Sequence, residues 1–206
     1  MPKLPEPGHS PAAERNKQPI LDVLQQLLPA HGRALEIASG TGQHVCWFAQ
    51  HLHDWIWQPT DSYAGALESI SAYMARDQLR NVQAPLLLDV MSPAWLPLDT
   101  PPFDLIYCAN MLHISPWATC AALMQGSARH LTAGGVLITY GPYLEGGVST
   151  SPGNSNFDID LRQRNPDWGL RLREKVEQQA ALEGLRLVQR FAMPANNLLL
   201  VWSRAT

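Results

Sequence analysis

A glycine-containing turn between a short apolar run and a helical stretch is the feature of this sequence best suited to chemistry. Glu36 closes the run that begins at Ala34, and Gly40 and Gly42 precede residues 43–49, whose pattern predicts a helix. Glycine lets the backbone turn tightly and approach a ligand closely, because it carries no Cβ. A strand that ends in an acid, a Gly-x-Gly turn and a helix are typical of a nucleotide-type cofactor site.

One element of a dinucleotide site is missing from this segment. The G-x-G-x-x-G fingerprint needs a third glycine where Val45 stands, which weakens the interpretation as a pyrophosphate site. The order of an acid and two glycines resembles motif I of class I S-adenosylmethionine (SAM)-dependent methyltransferases, with Ala38 at the motif's first glycine. That resemblance implies that the methionine end of SAM binds near Glu36, Ala38, Gly40 and Gly42.

Two further acids follow predicted strands. Residues 54–61 end in Asp61, about twenty residues after the glycine turn, where such folds place the acid that binds the ribose. A carboxylate can accept hydrogen bonds from both ribose hydroxyls. Residues 84–90 are an apolar run closed by Asp89 and Val90. The methyltransferase resemblance implies that Asp89 accepts from the adenine amino group and that the Val90 N–H meets a ring nitrogen.

The composition fits one globular α/β domain. The chain has 206 residues, of which 46% are hydrophobic and 16% charged, so it can bury a sizeable core. A formal net charge of -3 and a pI near 6.1 argue against a nucleic-acid backbone as the main partner. No long apolar segment opens the chain, so we expect neither a signal peptide nor a membrane span, and a cytoplasmic location.

Neither the cysteines nor the histidines show the spacing of a metal site. Cys46, Cys108 and Cys120 form no C-x-x-C pair, so we expect buried thiols. His51 and His53 are too close together for a metal pair on one helix face and lack a set of Asp or Cys ligands. We therefore expect no metal.

Helical and strand patterns alternate along most of the chain. Helical periodicity begins at Ile20, with Pro19 in the first turn, so residues 1–18 are expected to form an irregular arm and residues 19–206 the domain. Further helices are predicted over residues 63–80 and 117–131, and further strands over residues 103–110 and 136–140. This alternation predicts parallel βαβ units in a doubly wound sheet.

The end of the chain has a different organisation. Residues 185–192 and 198–202 are predicted strands joined only by residues 193–197. A connection that short requires an antiparallel hairpin. A mostly parallel, seven-stranded sheet closed by such a hairpin is the methyltransferase arrangement, and a plain dinucleotide-binding sheet does not need it.

Longer strings resemble one particular family. They include Asn-Met-Leu-His-Ile-Ser-Pro-Trp and Met-Pro-Ala-Asn-Asn, and they lie at residues 10–20, 110–117, 140–143, 157–169 and 193–197. Through them the chain, over residues 10–204, resembles the DUF938 or "methyltransferase-like 26" family. The resemblance implies a single-domain, Rossmann-like class I methyltransferase fold with a SAM site, and it supplies no substrate.

Candidate acceptor residues follow the fourth and fifth predicted strands. His113 stands just past Asn110, at the carboxyl edge of the sheet where α/β proteins bind ligands, and histidine suits a general base. Asn110 itself is assigned to the predicted cofactor site. Tyr143 can offer a hydroxyl or a π face to the sulfonium or the substrate.

Residues 145–158 are rich in Gly, Ser and Asn and show no periodicity. We expect a long loop there, and long loops inside compact domains often bind substrates. Asp158 is the second choice for a base after His113. The substrate-side candidates in the loop are Asn154, Asn156, Phe157 and Asp158.

Arg15 and Asn16 stand in the expected arm. An arginine near a helix start is mildly unfavourable, which favours a specific partner, and the methionine carboxylate of SAM is the obvious anion for it. We therefore expect the arm to act as a lid over the cofactor.

Together these patterns predict a SAM-dependent methyltransferase, acting on a small molecule that is polar or mildly aromatic. Acceptor atom and oligomeric state are left open. A nicotinamide-dependent reductase is one alternative, disfavoured by Val45 and the terminal hairpin. A SAM-binding regulatory or scaffold subunit without turnover is the other.

Overall fold

The computed structural model describes residues 7–205 of the protein. Its strands are β1 (Gly32–Ile37), β2 (Trp55–Asp61), β3 (Leu86–Leu87), β4 (Phe103–Ala109), β5 (Leu131–Gly141), β6 (Leu185–Met193) and β7 (Asn197–Arg204). They form a seven-stranded sheet in the order β3-β2-β1-β4-β5-β7-β6. β2 pairs in parallel with β1 and β3, whereas β7 is antiparallel to β5 and β6. The predicted α/β class, mostly parallel sheet and C-terminal hairpin are confirmed.

Six helices accompany the sheet within residues 7–205. They are α1 (Pro11–Leu27), α2 (Gln43–His51), α3 (Ala64–Arg76), α4 (Ala118–His130), α5 (Pro152–Arg164) and α6 (Arg173–Leu182). No helix in this part of the chain is long and apolar enough to cross a membrane. The chain divides between Tyr107 and Cys108 into two compact units, described below as the first and the second unit.

The helix α1 begins well before Ile20, so the irregular arm predicted over residues 1–18 is wrong from Pro11 onward. Ser10 caps the helix by accepting the Ala13 N–H at 3.3 Å, and Pro11 occupies the first turn, where its missing N–H costs nothing. The predicted arm's residues 1–6 lie outside the described part of the chain.

Apolar periodicity missed the first turns of α1 because they bury little. The buried residues of this helix start at Ile20 and end at Leu24. Pro19 lies inside the helix and does not start it, although a proline there removes one backbone hydrogen bond of the helix.

A second helix was missed in the segment predicted as a loop. The helix α5 begins at Pro152, and its N-cap Ser151 accepts the Asn154 N–H at 3.2 Å. Only Asn154 and Leu161 are buried along its 13 residues. A helix without an apolar stripe carries no periodic signal, which explains the error.

The strand predicted over residues 84–90 is confirmed only at its centre. β3 consists of Leu86 and Leu87, which pair with Thr60 and Asp61 of β2. The next residue stays alongside, because the Leu88 N–H donates to the Asp61 carbonyl at 2.9 Å. The segment that carries Asp89 therefore lies beside the end of β2.

The predicted buried thiols are confirmed. Cys46, Cys108 and Cys120 are free and buried, on α2, β4 and α4 respectively. Trp55 and Trp57 are core residues, whereas the Trp117 side chain is 39% exposed.

Candidate functional site

The turn that follows β1 holds three residues in the left-handed region. Ala38, Gly40 and Gly42 have φ angles of 55°, 56° and 90°. The Ser39 N–H donates to the Thr60 carbonyl at 2.8 Å, which ties the turn to β2. Alanine pays a steric cost at such a φ that glycine does not. Ala38 therefore carries backbone strain that a glycine in the same place would avoid.

The two glycines of the turn have different roles. A Cβ on Gly42 would lie 2.9 Å from the Cα of Ile70, so the backbone of α3 approaches too closely for any larger residue. A Cβ on Gly40 would meet no atom within 4 Å among the described residues. The turn is therefore closed by packing at Gly42 and open at Gly40, where a ligand has room.

Asp61, at the end of β2, organises this turn. Its Oδ2 accepts the Gly40 N–H at 2.8 Å and its Oδ1 accepts the Tyr63 N–H at 2.9 Å. Each carboxylate oxygen has two lone pairs, so both oxygens can accept a further hydrogen bond. The geometry is compatible with the predicted contact to a ribose.

Glu36, at the other side of the turn, is a buried acid. Its side chain is 2% exposed, and Oε2 has no hydrogen-bond partner within residues 7–205. Burial raises the pKa of Glu36 to about 8; a hydrogen bond from Ser39 opposes this shift and the charge of Asp61 adds to it. An unpaired buried carboxyl is costly, which fits a site where the ammonium or a hydroxyl of SAM supplies the missing donor.

Asp89 and Val90 lie just beyond β3. The exposed Asp89 uses its Oδ1 to accept the Met91 N–H at 2.9 Å, and the Val90 carbonyl accepts the Trp95 indole N–H at 3.0 Å. The second Asp89 oxygen, Oδ2, accepts no hydrogen bond within residues 7–205, so it could accept one from the adenine amino group, as predicted. Because β3 lies beside β2, the structure brings the segments of Asp61 and Asp89 together.

Arg15 and Asn16 lie on α1, which corrects their placement in an irregular arm. The Asn16 Oδ1 lies 2.6 Å from the His44 Nε2, so this side chain has a structural partner. Arg15 is exposed and makes no hydrogen bond or ion pair within residues 7–205. Of the two, only Arg15 remains available for an anion.

Gln43 was missed in the sequence, although it follows the second glycine directly. Its Oε1 accepts hydrogen bonds from the Ser10 N–H and from the Thr41 hydroxyl, and its Nε2 donates to Glu14 at 3.0 Å. This single amide fastens the start of α1 to the glycine turn. Its place directly after Gly42, at the first residue of α2, is the one sequence signal that could have revealed it.

His44 was also missed. It stacks on Phe48, and its Nδ1 lies 3.4 Å from the Tyr107 hydroxyl. Burial lowers the pKa of His44 to about 4, and the charge of Lys17 acts in the same direction. The imidazole is therefore neutral and links α1, through Asn16, to β4.

In the second unit, His113 ends a 3₁₀ turn, Met111–His113, that follows β4. It is 1% exposed, and neither ring nitrogen has a hydrogen-bond partner in the described part of the chain. Burial lowers the pKa of His113 to about 3, with a further contribution from the charge of Arg171. The side chain is a neutral, unsatisfied imidazole.

A glycine at the end of β5 leaves room for the His113 ring. A Cβ on Gly141 would collide with the His113 Nε2, so only glycine fits there. Asn110, in the left-handed region at φ 61°, donates its N–H to the Tyr140 carbonyl and accepts the His113 N–H. The ends of β4 and β5 together therefore position His113.

Tyr143 is buried beside His113. The two rings meet edge to face with their centroids 4.8 Å apart. The Tyr143 hydroxyl donates to the Thr139 Oγ1 at 2.9 Å, and burial raises the pKa of this phenol. The hydroxyl that the sequence offered to a substrate is thus already engaged, and the residue as a whole is 4% exposed.

The substrate-side candidates of residues 145–158 lie on α5 and are divided. Asn154 is buried and donates to the Asn196 carbonyl at 2.8 Å, in the turn between β6 and β7. Asp158 accepts the Leu170 N–H at 2.7 Å and pairs with Arg162 at 2.9 Å. The residues that remain exposed are Asn156 and Phe157.

The structure brings Asp158 near His113 through a shared turn. The Gly169 N–H donates to the His113 carbonyl at 2.9 Å, and the next N–H donates to Asp158. The structure therefore groups His113, Tyr143 and Asp158.

Larger solved structures share this fold. An O-methyltransferase family protein from Burkholderia thailandensis matches with a TM-score of 0.78 at 14% identity, over 95% of this chain and 58% of that one. An O-methyltransferase family 2 protein from Planctomyces limnophilus, in complex with apigenin, matches with a TM-score of 0.76 at 18% identity, over 94% and 60%.

A methyltransferase of calicheamicin biosynthesis, in its SAH-bound form, matches with a TM-score of 0.72 at 14% identity, over 100% of this chain and 65% of that one. The chain thus spans less than two thirds of the length of these three proteins. These matches establish the Rossmann-like methyltransferase fold.

The family itself is identified by a match of the sequence over nearly its full length. The family model described as "Protein of unknown function (DUF938)" matches residues 8–204. The matched span includes the glycine turn, the acids at the strand ends and the terminal hairpin. The chain belongs to the DUF938 family.

Proposed function

We propose that this protein is a SAM-dependent methyltransferase that acts on a small-molecule acceptor. One observation carries the proposal. Glu36 keeps an unpaired carboxyl oxygen in a buried position beside a turn that is open at Gly40. Such an oxygen needs a donor from outside the chain, and SAM carries both an ammonium group and hydroxyls that could supply it.

The cofactor is assigned by the chemistry of each group. Glu36 and the turn of Ala38, Gly40 and Gly42 take the methionine end, and the cation of Arg15 suits the methionine carboxylate. Asp61 takes the ribose. Adenine lies with Asp89 and the Val90 N–H. Asn16 supports the site through His44, and Asn110 completes the proposed set. The SAH-bound neighbour with the same fold supports this assignment.

When bound, SAM supplies a methyl group already activated by a positively charged sulfur. The protein then needs mainly to align a nucleophile, and alignment alone can supply ~7–11 kcal/mol of the barrier. A proton acceptor is needed only when the nucleophile is protonated. The acidity of the acceptor therefore decides whether His113 must remove a proton from it or only orient it.

His113 remains the proposed acceptor-side residue, with Tyr143 as its wall and Asp158 behind it. Because burial lowers the pKa of His113 to about 3, the ring is a weak base and a good neutral hydrogen-bond partner. We therefore assign it to orienting the acceptor. Asp158, held by Arg162 and a backbone N–H, is the weaker candidate for proton transfer.

An acidic hydroxyl is the acceptor group that these residues suit best. A phenol, or another hydroxyl that ionises without a strong base, would need only orientation from His113. Several structures with this fold are O-methyltransferases by name, including a mitomycin 7-O-methyltransferase, which supports an oxygen acceptor. Tyr143 and the exposed Phe157 would contact an aromatic acceptor.

Calorimetry with SAM, SAH, NADH and NADPH tests the cofactor. We expect binding of SAM and SAH, weakened roughly 10- to 150-fold in Glu36→Leu, since a charged hydrogen bond contributes about 1.5–3 kcal/mol. Asp54→Asn, an exposed acid in the same unit, is the matched control and should bind like the parent. Binding of NADH but not SAM would make the protein a reductase candidate.

Release of SAH over a panel of phenols, carboxylic acids, amines and thiols tests turnover. We expect the phenols to give the fastest release. SAM binding without SAH release from any acceptor class would favour the non-catalytic SAM-binding subunit instead. Methylation of amines alone would contradict the proposed oxygen acceptor.

A further inference from the structure

The second unit contains a groove that has no part in the proposed methyl transfer. It has a volume of about 670 Å³, within the range of sites for small molecules. Its lining comes from α6, from the start of α4 and from the segments around Leu144 and Leu170. The groove lies wholly within the second unit.

Arg171 provides a cation at the groove that makes no ion pair within residues 7–205, although the charges of Asp158 and Asp167 partly offset the lowering of its pKa. Its Nε donates to the Leu112 carbonyl at 2.8 Å, and its Nη2 donates to the carbonyls of Ser115 and Asp167. All three acceptors are uncharged, and Nη1 makes no hydrogen bond within residues 7–205. Burial lowers the pKa of Arg171, and the like charge of Arg162 adds to this effect. An anion in the groove would relieve both costs.

A second cation lines the same groove. Lys175 is exposed on α6 and makes no ion pair in the described part of the chain. The acids that flank it, Glu174 and Glu177, both pair with Arg173, at 2.9 and 2.8 Å. No Asp or Glu side chain is among the described residues that line the groove. The groove is therefore positively charged.

The remaining lining is apolar and offers a flat surface. Trp117 is 39% exposed, and the Arg171 guanidinium lies over its ring at 5.7 Å from the centroid. Leu182 is 79% exposed at the opposite end of the lining on α6. An exposed indole and an exposed leucine are suited to the faces of a planar apolar group.

We propose that this groove binds a small aromatic carboxylate, with the carboxylate on Arg171 and Lys175 and the ring against Trp117. The Nη1 N–H groups of Arg171 make no hydrogen bond within residues 7–205, so they are the ones that can donate to the carboxylate, and a charge-assisted hydrogen bond of this kind is stronger than a neutral one. Gln178 and Gln179 add amide donors to the same lining. The site does not depend on SAM binding, so it stands or falls apart from the proposed methyl transfer.

A ligand in this groove would affect the position of His113 through the backbone on either side of it. Arg171 holds the carbonyls of Leu112 and Ser115, which stand on either side of the 3₁₀ turn's end. A carboxylate that fixes Arg171 would also fix this segment. The site is therefore placed to influence the region assigned to the acceptor, as a regulatory ligand would.

Calorimetric titration of the full-length protein with 2-naphthoate, without SAM, tests the proposal. The uncharged 2-naphthalenemethanol is the matched ligand, because it keeps the ring and removes the charge. We expect binding of naphthoate to be at least roughly tenfold tighter than binding of the alcohol, as a charged hydrogen bond predicts. Equal affinities, or no naphthoate binding at millimolar concentration, would overturn it.

Two variants separate the groove from other surfaces. Lys175→Glu changes only an exposed side chain, so it should fold normally and weaken naphthoate about threefold or more. Trp117→Ala should weaken naphthoate and the alcohol alike. Arg186→Gln, an exposed cation on β6, is the control and should bind like the parent. If Lys175→Glu and Trp117→Ala both bind naphthoate like the parent, the ligand is bound elsewhere and the assignment is wrong.

Discussion

Glu36 in the first unit and Asp158 in the second are both carboxylates near predicted binding residues, yet their surroundings are opposite. Glu36 is 2% exposed, keeps an unpaired oxygen, and has its pKa raised to about 8 mainly by burial. One Asp158 oxygen accepts a hydrogen bond from the Leu170 N–H, and the other pairs with Arg162. The first acid costs the fold free energy, and the second contributes to it.

The difference shows how a binding acid can be told from a structural one. Natural folds satisfy nearly all buried polar groups, so a buried acid left unpaired indicates selection for something other than stability. His113 belongs with Glu36 by this measure, because both its ring nitrogens are buried and unpaired in the described part of the chain. The predictions below therefore ask which groups cost stability and which provide it.

Removing Asp61 should have the largest effect on both SAM affinity and stability, because this acid is assigned to the ribose and also holds the glycine turn together. Asp61→Ala should weaken SAM about 10- to 150-fold, for a loss of about 1.5–3 kcal/mol, and should also destabilise the turn by leaving the Gly40 and Tyr63 N–H groups unpaired. Calorimetry and urea unfolding measure the two effects.

Asp61→Asn is the control, since it retains one carbonyl oxygen as an acceptor for a backbone N–H. It should recover part of the stability and little of the SAM affinity. Parental SAM affinity in Asp61→Ala would refute the ribose assignment.

Glu36→Gln should separate binding from stability. A raised pKa means that the folded protein keeps a proton that the unfolded chain loses above about pH 4.5, so the contribution of Glu36 to stability declines as the pH rises to about 8. The glutamine variant lacks this loss. At pH 8 it should be more stable than the parent by about 1–3 kcal/mol, with little difference at pH 4.5.

The same variant should bind SAM about tenfold more weakly, because it removes a charged hydrogen-bond acceptor. Urea unfolding at pH 4.5 and 8, with calorimetry at pH 8, gives both quantities. A variant that is less stable at pH 8 and binds SAM like the parent would place Glu36 with Asp158 as a structural acid.

The acid response of His113 should be the next largest effect. Burial lowers its pKa from 6.5 to about 3, so its contribution to stability is present above pH 6.5 and is lost as the pH falls towards 3. His113→Gln should reduce the slope of unfolding free energy against pH by up to about 1.4 kcal/mol per pH unit between these values.

Gln163→Asn is the control for this slope, since it changes an exposed residue of α5 in the same unit and involves no ionisable group. It should leave the pH dependence of unfolding unchanged. If His113→Gln has the slope of the parent, the imidazole titrates normally and does not resemble Glu36.

The alternating part of the fold could be predicted from sequence because its signals are local. β1, α2 and β2 were found as an apolar run, a glycine turn, a helix and an acid-terminated strand. The hairpin of β6 and β7 followed from the length of its connection. Chain geometry and apolar patterning suffice for such elements.

The two misplaced helices lacked an apolar stripe at their starts. Both α1 and α5 begin with the same pair, a serine that caps and a proline in the first turn, at Ser10–Pro11 and Ser151–Pro152. This capping pair was the available signal.

Burial and pairing within the site could not be predicted, because they depend on distant residues. Nothing near Asp158 in sequence predicts its bond to the Leu170 N–H. Likewise, the collision that a Cβ at Gly141 would have with His113 follows only from the tertiary fold.

Asp158→Ala should have a moderate effect on stability alone. It removes a backbone hydrogen bond and a half-exposed ion pair, so we expect a loss of about 1 kcal/mol in unfolding free energy. SAM affinity should stay within about twofold of the parent's, in contrast to Glu36→Gln. A parent-like stability combined with lost turnover would instead make Asp158 a functional acid.

Arg15→Ala should have the smallest effect on stability and still bear on the comparison. The side chain is exposed and unpaired within residues 7–205, so unfolding free energy should change by less than about 0.5 kcal/mol. If Arg15 meets the methionine carboxylate, its loss should weaken SAM about two- to fivefold, since an exposed ion pair contributes about 0.2–1 kcal/mol. Raising the salt concentration should shrink this difference, because salt screens exposed charges. Arg80→Ala, an exposed arginine of the same unit, should change neither quantity.

Protection of the Arg15 peptide bond from trypsin by SAM would further support a lid role for this part of α1. Equal cleavage and equal affinity would leave α1 as a purely structural helix, fastened to the glycine turn by Gln43.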